Sequence, residues 1–324
     1  MNIPLAPIIV FCYNRPWHVE QTLEALSRNE LSDQSILYIY CDGPKVDVSD
    51  EQLQKIAEVR KVVRKCQWCQ EVHIIESEIN KGLAKNIIDG VSDVISKYGR
   101  VIILEDDLLT SPYFLNYMNR ALEIYETYPS VFSISANRPP VNKMEIPQDY
   151  EYDVFVSLRP FSTGWATWKT KWEKIDWSMN YLEDFLQHPS QIEAFNRGGD
   201  DLTAMLCMQR DHKIDSWAIR YAFQHFYHHA VAILPCVPYV DNIGFDGTGI
   251  HSGTDEEDFR NDVLKAPISP RFPSIIYEDK RIINAFYNYY TNKKRPLWQK
   301  CVNFICRKIG VPVLFVLKKC VYAK

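Results

Sequence analysis

The sequence has none of the features that would place it outside the soluble globular class. Its 324 residues contain no internal repeat and no low-complexity segment. No apolar run reaches the length of about 20 residues that a transmembrane helix needs. The first residues, MNIPLAPIIVFCYNRP, lack the basic region and the long apolar run of a secretory signal peptide. We therefore expect a cytoplasmic protein of one or two domains with a sizeable core.

The cysteines do not form a disulfide framework. There are nine of them, an odd number at irregular spacing, which differs from the pattern of small secreted proteins. Cys66 and Cys69 form a CxxC pair, but a structural zinc site needs a second pair of ligands, and no second CxxC follows. We therefore predict reduced, structural thiols.

Acidic residues are missing from the end of the chain. All 41 of them precede Thr291, whereas residues 293–324 carry nine of the 37 lysines and arginines. The rest of the chain therefore has 28 basic residues and 41 acids, so the net charge of −4 divides into −13 for the body and +9 for the tail. This asymmetry argues against a nucleic-acid-binding surface over the whole protein and indicates a local basic tail.

The first 135 residues alternate between apolar runs typical of buried strands and amphipathic stretches typical of helices. This alternation predicts a parallel sheet with right-handed crossover helices. The predicted strands are Ile8–Cys12, Ile36–Cys41, Val72–Glu76, Val101–Leu104 and Val131–Ser135, and the predicted helices are Pro16–Arg28, Asp50–Lys65, Lys81–Lys97 and Pro112–Thr127.

The second half has a different pattern. After a predicted strand at Tyr152–Ser157 it is mostly helical to about Phe226, and another helix is expected from Ser274 to about Asn292. Asp241–Gly253 contains four glycines in thirteen residues, which favours a mobile loop that acts as a lid. We therefore divide the chain into a first half at 1–150, a second half at 151–273 and a C-terminal helix with basic tail at 274–324.

Three consecutive acids carry the strongest chemical signal. Glu105, Asp106 and Asp107 directly follow the predicted strand Val101–Leu104, at the strand end where open α/β sheets bind ligands. Three carboxylates repel one another, and their hard oxygens suit Mg²⁺ or Mn²⁺. The alternative is an acidic turn before a helix, stabilised by the helix dipole. Ser111 and Pro112 then predict the start of that helix.

Several segments, read in order, resemble the nucleotide-sugar glycosyltransferases of the GT-A fold, a Rossmann-like α/β fold. The likeness is closest to the N-acetylglucosaminyltransferase I group and to related bacterial surface-polysaccharide transferases, and it covers residues 5–255. The segments are Pro7–Val10 with Asn14–Arg15, Tyr40–Gly43, Val101–Asp107 with Ser111–Phe114, Phe161–Trp165, Asp215–Trp217, Asn242–Gly244 and His251–Gly253.

The resemblance implies roles on the donor side. Asp107 would bind the metal, while Glu105 and Asp106 face the nucleoside. Arg15 would contact the nucleotide, where a guanidinium fork suits phosphate or ribose, although a surface ion pair is an equal alternative. Asp42 resembles the acid that accepts a hydrogen bond from the imide N–H of the base, although Asp–Gly–Pro is also an ordinary turn.

Four further residues complete the predicted donor site. Lys81 and Lys85 lie near the start of a predicted helix, where lysine opposes the helix dipole and a bound diphosphate would relieve that penalty. Trp165 is expected under the sugar or acceptor, with core packing as the alternative. His251 would reach the diphosphate or the metal from the glycine-rich loop.

An inverting sugar transfer needs a carboxylate that removes the proton of the attacking hydroxyl group. Asp215 is the predicted base because it matches an acid-rich family segment, although Ser216 stands where the family has a second acid. Asp201 is the second candidate. For both residues the alternative is a helix N-cap.

These observations predict a metal-dependent, inverting glycosyltransferase, a hexosyl- or N-acetylhexosaminyltransferase that uses a nucleotide sugar with UDP as the expected nucleotide. The acceptor would be a growing bacterial surface glycan such as an O-antigen. One alternative is a sugar nucleotidyltransferase, although the opening Tyr13–Pro16 lacks the glycine-rich phosphate loop expected there. Another is a glycan-binding protein without activity, against which the retained acids at 42, 105–107 and 215 argue.

The tail suggests where the enzyme works. Its basic residues alternate with apolar clusters at near-helical spacing, a pattern typical of segments that lie on anionic membranes. The alternative is a helix that packs on the acidic body. Membrane attachment would place a peripheral enzyme at the inner face of the cell membrane, beside a lipid-linked acceptor.

Overall fold

The protein, described here from a computed structural model, has an α/β architecture in which helices flank a mostly parallel sheet. The structure describes residues 4–247 and 263–291, together with residues 304, 305 and 308. This arrangement confirms the predicted fold class. The strands are β1 Ile8–Cys12, β2 Ile36–Cys41, β3 Glu71–Glu76, β4 Arg100–Glu105, β5 Leu108–Thr110, β6 Val131–Ser135, β7 Val154–Ser157, β8 Trp165–Trp168, β9 Val231–Pro235 and β10 Val240–Asn242.

The helices lie between these strands in the first half and dominate the second half. The α-helices are α1 Pro16–Ser27, α2 Asp50–Val62, α3 Leu83–Tyr98, α4 Phe114–Tyr125, α5 Lys169–Trp172, α6 Leu182–Phe185, α7 Pro189–Phe195, α8 Leu202–Arg210, α9 Trp217–Tyr227 and α10 Lys280–Thr291.

Eight of the described strands form one sheet in the order β3-β2-β1-β4-β8-β6-β9-β7. Strands β3, β2, β1 and β4 are parallel to one another, and β6 is parallel to β9. Strand β8 runs antiparallel between β4 and β6, and β7 runs antiparallel beside β9. The second half of the chain therefore contributes β7, β8 and β9 to the sheet begun by the first half. Strands β5 and β10 form a separate antiparallel pair.

Alternating side chains of the central strands fill two different cores. In β1, Ile8, Val10 and Cys12 face one side of the sheet, and Ile9 and Phe11 face the other. The first side is covered by α1, α2 and α4, and the second by α3 and α9. Because both faces are covered, these strands are apolar throughout, as parallel strands usually are.

The ends of the helices follow local signals in the sequence. Ser49 caps α2 by accepting a hydrogen bond from the Gln52 N–H at 3.3 Å. Gly99 ends α3 in the left-handed region at φ 78°, and its N–H bonds to the Ile95 carbonyl at 2.9 Å. The turn at Gly99 leads directly into β4, and the acid triplet stands at the other end of that strand.

The predicted start of the helix after the acid triplet is wrong. The chain first forms the short strand β5, and α4 begins only at Phe114. Ser111 instead lies in a turn in which its carbonyl accepts a hydrogen bond from the Phe114 N–H at 3.0 Å. Thr110 pairs with the distant residue Val240 in the strand pair β5–β10. This long-range pairing outweighs the local helix-start signal of Ser111 and Pro112.

The C-terminal part of the described chain packs on the far edge of the sheet. Ile282 and Phe286 of α10 join a core with Phe155 of β7 and Leu234 of β9. No helix within the described residues is long and apolar enough to cross a membrane. Apart from residues 304, 305 and 308, the basic tail lies outside the described residues.

Candidate functional site

A cleft of about 390 Å³ opens at the carboxyl ends of β1, β2 and β4. Open α/β sheets place their ligands at this edge because the chain leaves each strand there as a loop. The walls come from segments that are distant in sequence: residues 11–15, 42, 45, 80, 82–83, 86, 105–108, 162–163, 215–218, 242 and 244–245. The structure therefore brings together Arg15, Asp42, the acid triplet and Asp215.

Arg15 lies between the acids that follow β4. Its Nη2 bonds to Asp106, and the same nitrogen lies 2.9 Å from Asp107 Oδ2. All three side chains are largely buried. One guanidinium thus ties the end of β1 to the end of β4 and pairs with two of the three neighbouring carboxylates.

Arg15 does not balance all of the negative charge of the cluster, and the carboxylates shift one another's pKa values. Burial, together with the neighbouring Asp107 and Asp106 carboxylates, raises the pKa of Glu105 to about 8. Burial also raises the pKa of Asp106, although Arg15 opposes this shift. The same burial opposes the charge on Arg15, but the two aspartates outweigh it and raise the pKa of the guanidinium. The cluster therefore favours a further positive charge.

The described part of the glycine-rich loop lies against the acid triplet. The Ile243 N–H donates to the Asp107 carbonyl at 2.9 Å. A Cβ atom added at Gly244 would lie 2.1 Å from Asp107 Oδ2, so a side chain at this position would displace the Asp107 carboxylate. His18 Nε2 lies 3.1 Å from Asp246 Oδ2 on the same loop. The loop is thus held beside the predicted metal ligand.

Asp42 organises the wall opposite the acid triplet. Its Oδ1 accepts hydrogen bonds from the Gly43 and Lys81 N–H groups, both at 2.9 Å. Its Oδ2 accepts from Asn80 Nδ2 at 3.0 Å and from the Gly82 N–H at 3.2 Å. These four bonds join the end of β2 to the turn before α3. The carboxylate lines the cleft, but both of its oxygens already accept hydrogen bonds from the protein itself.

Asp215 reaches the cleft from the start of α9. Its side chain is 70% exposed, and its Oδ1 lies 3.2 Å from Arg220 Nη2. The N-cap of α9 is Ser216, whose Oγ accepts a hydrogen bond from the Ile219 N–H at 3.3 Å. Because Ser216 performs the capping, the Asp215 carboxylate stays available to a molecule in the cleft.

Asp201 occupies a different environment. Its carboxylate is only 13% exposed and receives Arg159 Nη1 at 2.8 and 3.0 Å. The Arg159 guanidinium in turn lies 4.0 Å from the centre of the Tyr290 ring of α10. Asp201 does not line the cleft. Its contacts fit a residue that joins α8 to α10.

The structure does not bring the side chains of Lys81 and Lys85 to the cleft. Lys85 is exposed and pairs with Asp89 at 2.8 Å on the outer surface of α3. Lys81 is exposed as well, and it contributes to the site through its backbone N–H, which bonds to Asp42. The helix begins at Leu83, two residues later than predicted, after Gly82 at φ 77°.

Trp165 is 1% exposed and lies within β8, which favours core packing over the expected position under a sugar. Its ring packs on Trp217 with the ring centres 4.8 Å apart, and Trp172 and Tyr221 complete the cluster. Trp217 lines the cleft. Trp165 thus supports a wall residue from behind.

Several cleft residues were absent from the predicted set, among them Asn80 and Phe11, and one predicted residue lies outside the described chain. Asn80 follows β3 and bonds to Asp42 and to the Gly43 carbonyl, both at 3.0 Å. Phe11 reaches the cleft from the carboxyl end of β1. Neither stands in a sequence motif, since an Asn–Lys–Gly turn and an apolar strand are common. His251 lies outside the described residues.

The acid cluster fits a metal only if the ligand brings most of the coordination. Within the described residues, no three His, Cys, Asp or Glu side chains are grouped to hold an ion. Asp107 can supply one carboxylate oxygen, and Mg²⁺ or Mn²⁺ commonly completes its shell with phosphate oxygens and water. The residues therefore fit a metal that enters together with a phosphate-bearing ligand.

The fold and the cleft define an α/β protein with a carboxylate-rich ligand site at the carboxyl edge of its parallel strands. The chain belongs to glycosyl transferase family 2, because the family model matches residues 8–179, more than half of the 324 residues. Membership of this family agrees with the expected class of protein, the glycosyltransferases. The narrower likeness to the N-acetylglucosaminyltransferase I group stays a prediction. No curated protein matches the chain.

Solved structures of other glycosyltransferases show distant similarity. The mannosyltransferase PcManGT from Pyrobaculum calidifontis, in complex with GDP-Man and Mn²⁺, has 15% identity and a TM-score of 0.38 over 52% of this chain and 45% of its own. TarS from S. aureus has 12% identity and a TM-score of 0.40 over 75% and 37%. Glucosyl-3-phosphoglycerate synthase from Mycobacterium tuberculosis, with Mn²⁺ and uridine diphosphate, has 12% identity and a TM-score of 0.31 over 53% and 58%. The chain thus spans between 37% and 58% of these proteins.

Trp165→Ala is expected to lower the free energy of unfolding by about 3–5 kcal/mol, because it leaves a cavity in a closely packed aromatic cluster. Urea denaturation measures this change. Trp17→Ala is the control, since Trp17 is 57% exposed and its loss should cost little. If Trp165→Ala kept its stability and bound the ligand more weakly, Trp165 would have a role in binding instead.

Asp42→Asn is expected to destabilise the turn before α3, because an amide nitrogen would face two N–H donors. An unsatisfied buried donor costs about 1–3 kcal/mol. Urea denaturation measures the global effect, and limited proteolysis around residues 79–83 measures the local one. Glu78→Gln, an exposed change in the same loop, is the control. Equal behaviour of both variants would show that the four bonds do not organise the wall.

Proposed function

We propose that this protein is a metal-dependent, inverting glycosyltransferase that moves a sugar from a nucleotide sugar, with UDP as the preferred nucleotide, to a growing glycan. One observation carries the proposal: the Arg15, Asp106 and Asp107 cluster and the exposed carboxylate of Asp215 line the same cleft. The first group suits a diphosphate with its cation, and the second suits an acceptor hydroxyl group. Family membership supports a glycosyltransferase over the alternative of a sugar nucleotidyltransferase.

The donor would bind at the ends of β1, β2 and β4. Arg15 can exchange part of its pairing with Asp107 for a phosphate oxygen, because a guanidinium fork binds either anion. Asp107 would hold Mn²⁺ or Mg²⁺, and the metal, when bound, would stabilise the charge of the leaving diphosphate. Asp42 would hold the turn at residues 80–82 in place beside the nucleoside, whether or not it also accepts from the base.

The acceptor would enter from the side of α9. Asp215 would accept the proton of the attacking hydroxyl group as the oxygen bonds to the anomeric carbon and the diphosphate leaves from the opposite side. Arg220 would keep the Asp215 carboxylate turned in one direction through the contact at 3.2 Å. Trp217, held by Trp165, offers an aromatic wall close to the base.

The support for a lipid-linked acceptor comes from the sequence alone. The basic tail and the likeness to bacterial surface-polysaccharide transferases support a lipid-linked acceptor at the inner face of the membrane. A membrane surface would then hold enzyme and acceptor in the same layer. The sugar itself is to be found by screening UDP- and GDP-sugars for Mn²⁺-dependent transfer or hydrolysis.

Asp107→Asn is expected to abolish the Mn²⁺-dependent part of nucleotide binding, because a neutral amide oxygen is a much weaker ligand for a hard cation. Titration calorimetry with UDP, with and without Mn²⁺, measures the effect. Asp89→Asn is the control, as its carboxylate pairs with Lys85 on the surface. Metal-dependent binding that is equal in Asp107→Asn and the unmodified protein would contradict the assignment.

Asp215→Asn is expected to keep nucleotide affinity near that of the unmodified protein and to lower kcat by about 10²-fold or more, because it removes a proton acceptor while keeping the shape. Asp201→Asn should instead lower stability, since it weakens the pair with Arg159. Steady-state transfer rates and urea denaturation on both variants separate the two effects. An active Asp215→Asn beside a folded but inactive Asp201→Asn would move the base to Asp201.

A further inference from the structure

Two cysteines lie side by side directly below the cleft. Cys12 ends β1 and Cys41 ends β2, and the two residues are paired in register in the parallel sheet. Their sulfur atoms are 3.5 Å apart. Both side chains are buried on the same side of the sheet, in the core that contains α1 and α2. The pair is thus a closely spaced dithiol between neighbouring strands.

The geometry of the two strands is compatible with a covalent link. Neighbouring strands lie about 4.8 Å apart, within the Cα separation of about 4.4–6.8 Å found in disulfides. The sulfurs would have to approach from 3.5 Å to about 2.05 Å. Because the backbone spacing already suits the link, most of this approach can come from side-chain rotation.

Each cysteine adjoins a part of the site. Cys12 itself lines the cleft, and Arg15 follows it by three residues. Cys41 immediately precedes Asp42, whose N–H donates to the Cys12 carbonyl at 2.9 Å. A shift at the ends of these strands would therefore reach both the guanidinium of the acid cluster and the carboxylate that holds the opposite wall.

We propose that Cys12 and Cys41 form a modification site that small disulfides convert to an intramolecular disulfide, and that this link weakens nucleotide binding. The Cys12 thiolate attacks a small disulfide from the cleft, forms a mixed disulfide and releases one thiolate. The Cys41 thiolate then attacks the Cys12 sulfur and releases the second thiolate. Two protein thiols lose their protons and are oxidised, while one small disulfide is reduced to two thiols.

The reaction is expected to be slow near neutral pH. The hydrogen bond to Cys41, followed by burial, raises the pKa of Cys12, and the nearby Asp106 and Asp42 carboxylates act in the same direction. Only the thiolate attacks a disulfide, so the rate should rise with pH. Three ionisable groups act on the Cys12 thiol: Cys41, Asp106 and Asp42.

The test uses the full chain, reduced and freed of reductant, and then incubated with oxidised glutathione at mildly alkaline pH. Peptide mapping by mass spectrometry is expected to find the Cys12 and Cys41 peptides linked, with the link reversed by dithiothreitol. In Cys41→Ser, Cys12 should stop at a mixed disulfide with glutathione. Cys66→Ser is the control and should leave the link unchanged, because Cys66 is exposed elsewhere.

Two results would overturn the proposed site. One is that Cys12 and Cys41 remain free thiols under conditions that convert Cys66 to its mixed disulfide. The other is that either cysteine is linked to a different partner in the folded protein. These readouts need neither donor nor activity, so they do not depend on the proposed function.

The coupling to nucleotide binding rests on the proposed function and has its own measurement. UDP with Mn²⁺ should slow formation of the link, and the linked protein should bind UDP about tenfold or more weakly, since small displacements in a positioned site are costly. If the link forms but UDP affinity is unchanged, the coupling is wrong. If the reduced protein does not bind UDP at all, the donor assignment fails while the disulfide result still stands.

Discussion

The ion pairs between Arg15 and the aspartates after β4 are the interaction on which the site depends. Glu105, Asp106 and Asp107 stand next to one another at the end of a buried strand, where like charges repel strongly. Arg15 lies largely buried among them and connects two neighbouring strands. Without this cation the loops after β1 and β4 would lose the ion pairs that join them, and the carboxylates would repel one another without compensation.

The sequence predicts the sheet edge well because the signals there are local and repeated. Continuous apolar runs locate β1, β2 and β4, and the polar residues that follow each strand must meet at the same edge of a parallel sheet. Arg15, Asp42 and the acid triplet therefore meet as expected. The short strand β5 escaped prediction because its partner β10 lies some 130 residues later in the chain, and no local pattern encodes such a pairing.

The sequence also could not separate residues of the same type in different surroundings. Asp201 and Asp215 both precede helices, yet the Asp201 carboxylate is buried against Arg159, whose guanidinium lies over the Tyr290 ring, and the Asp215 carboxylate is open to the cleft. Trp165 and Trp217 present the same problem, since either could face a sugar and only the fold shows which one reaches the cleft. Burial and partner choice depend on tertiary packing, which motif spacing does not carry.

The close approach of Gly244 to Asp107 has a consequence for how the site can respond to a ligand. Strand β5 follows the triplet directly, β10 leads directly into Gly244, and the two strands are hydrogen-bonded to each other. The Ile243 N–H also bonds to the Asp107 carbonyl. Asp107 and the segment that begins at Ile243 therefore lie at the same end of one antiparallel strand pair. A ligand that bound the Asp107 carboxylate would also shift residues 243–246. Ligand binding in the cleft and the shape of its entrance would then be coupled.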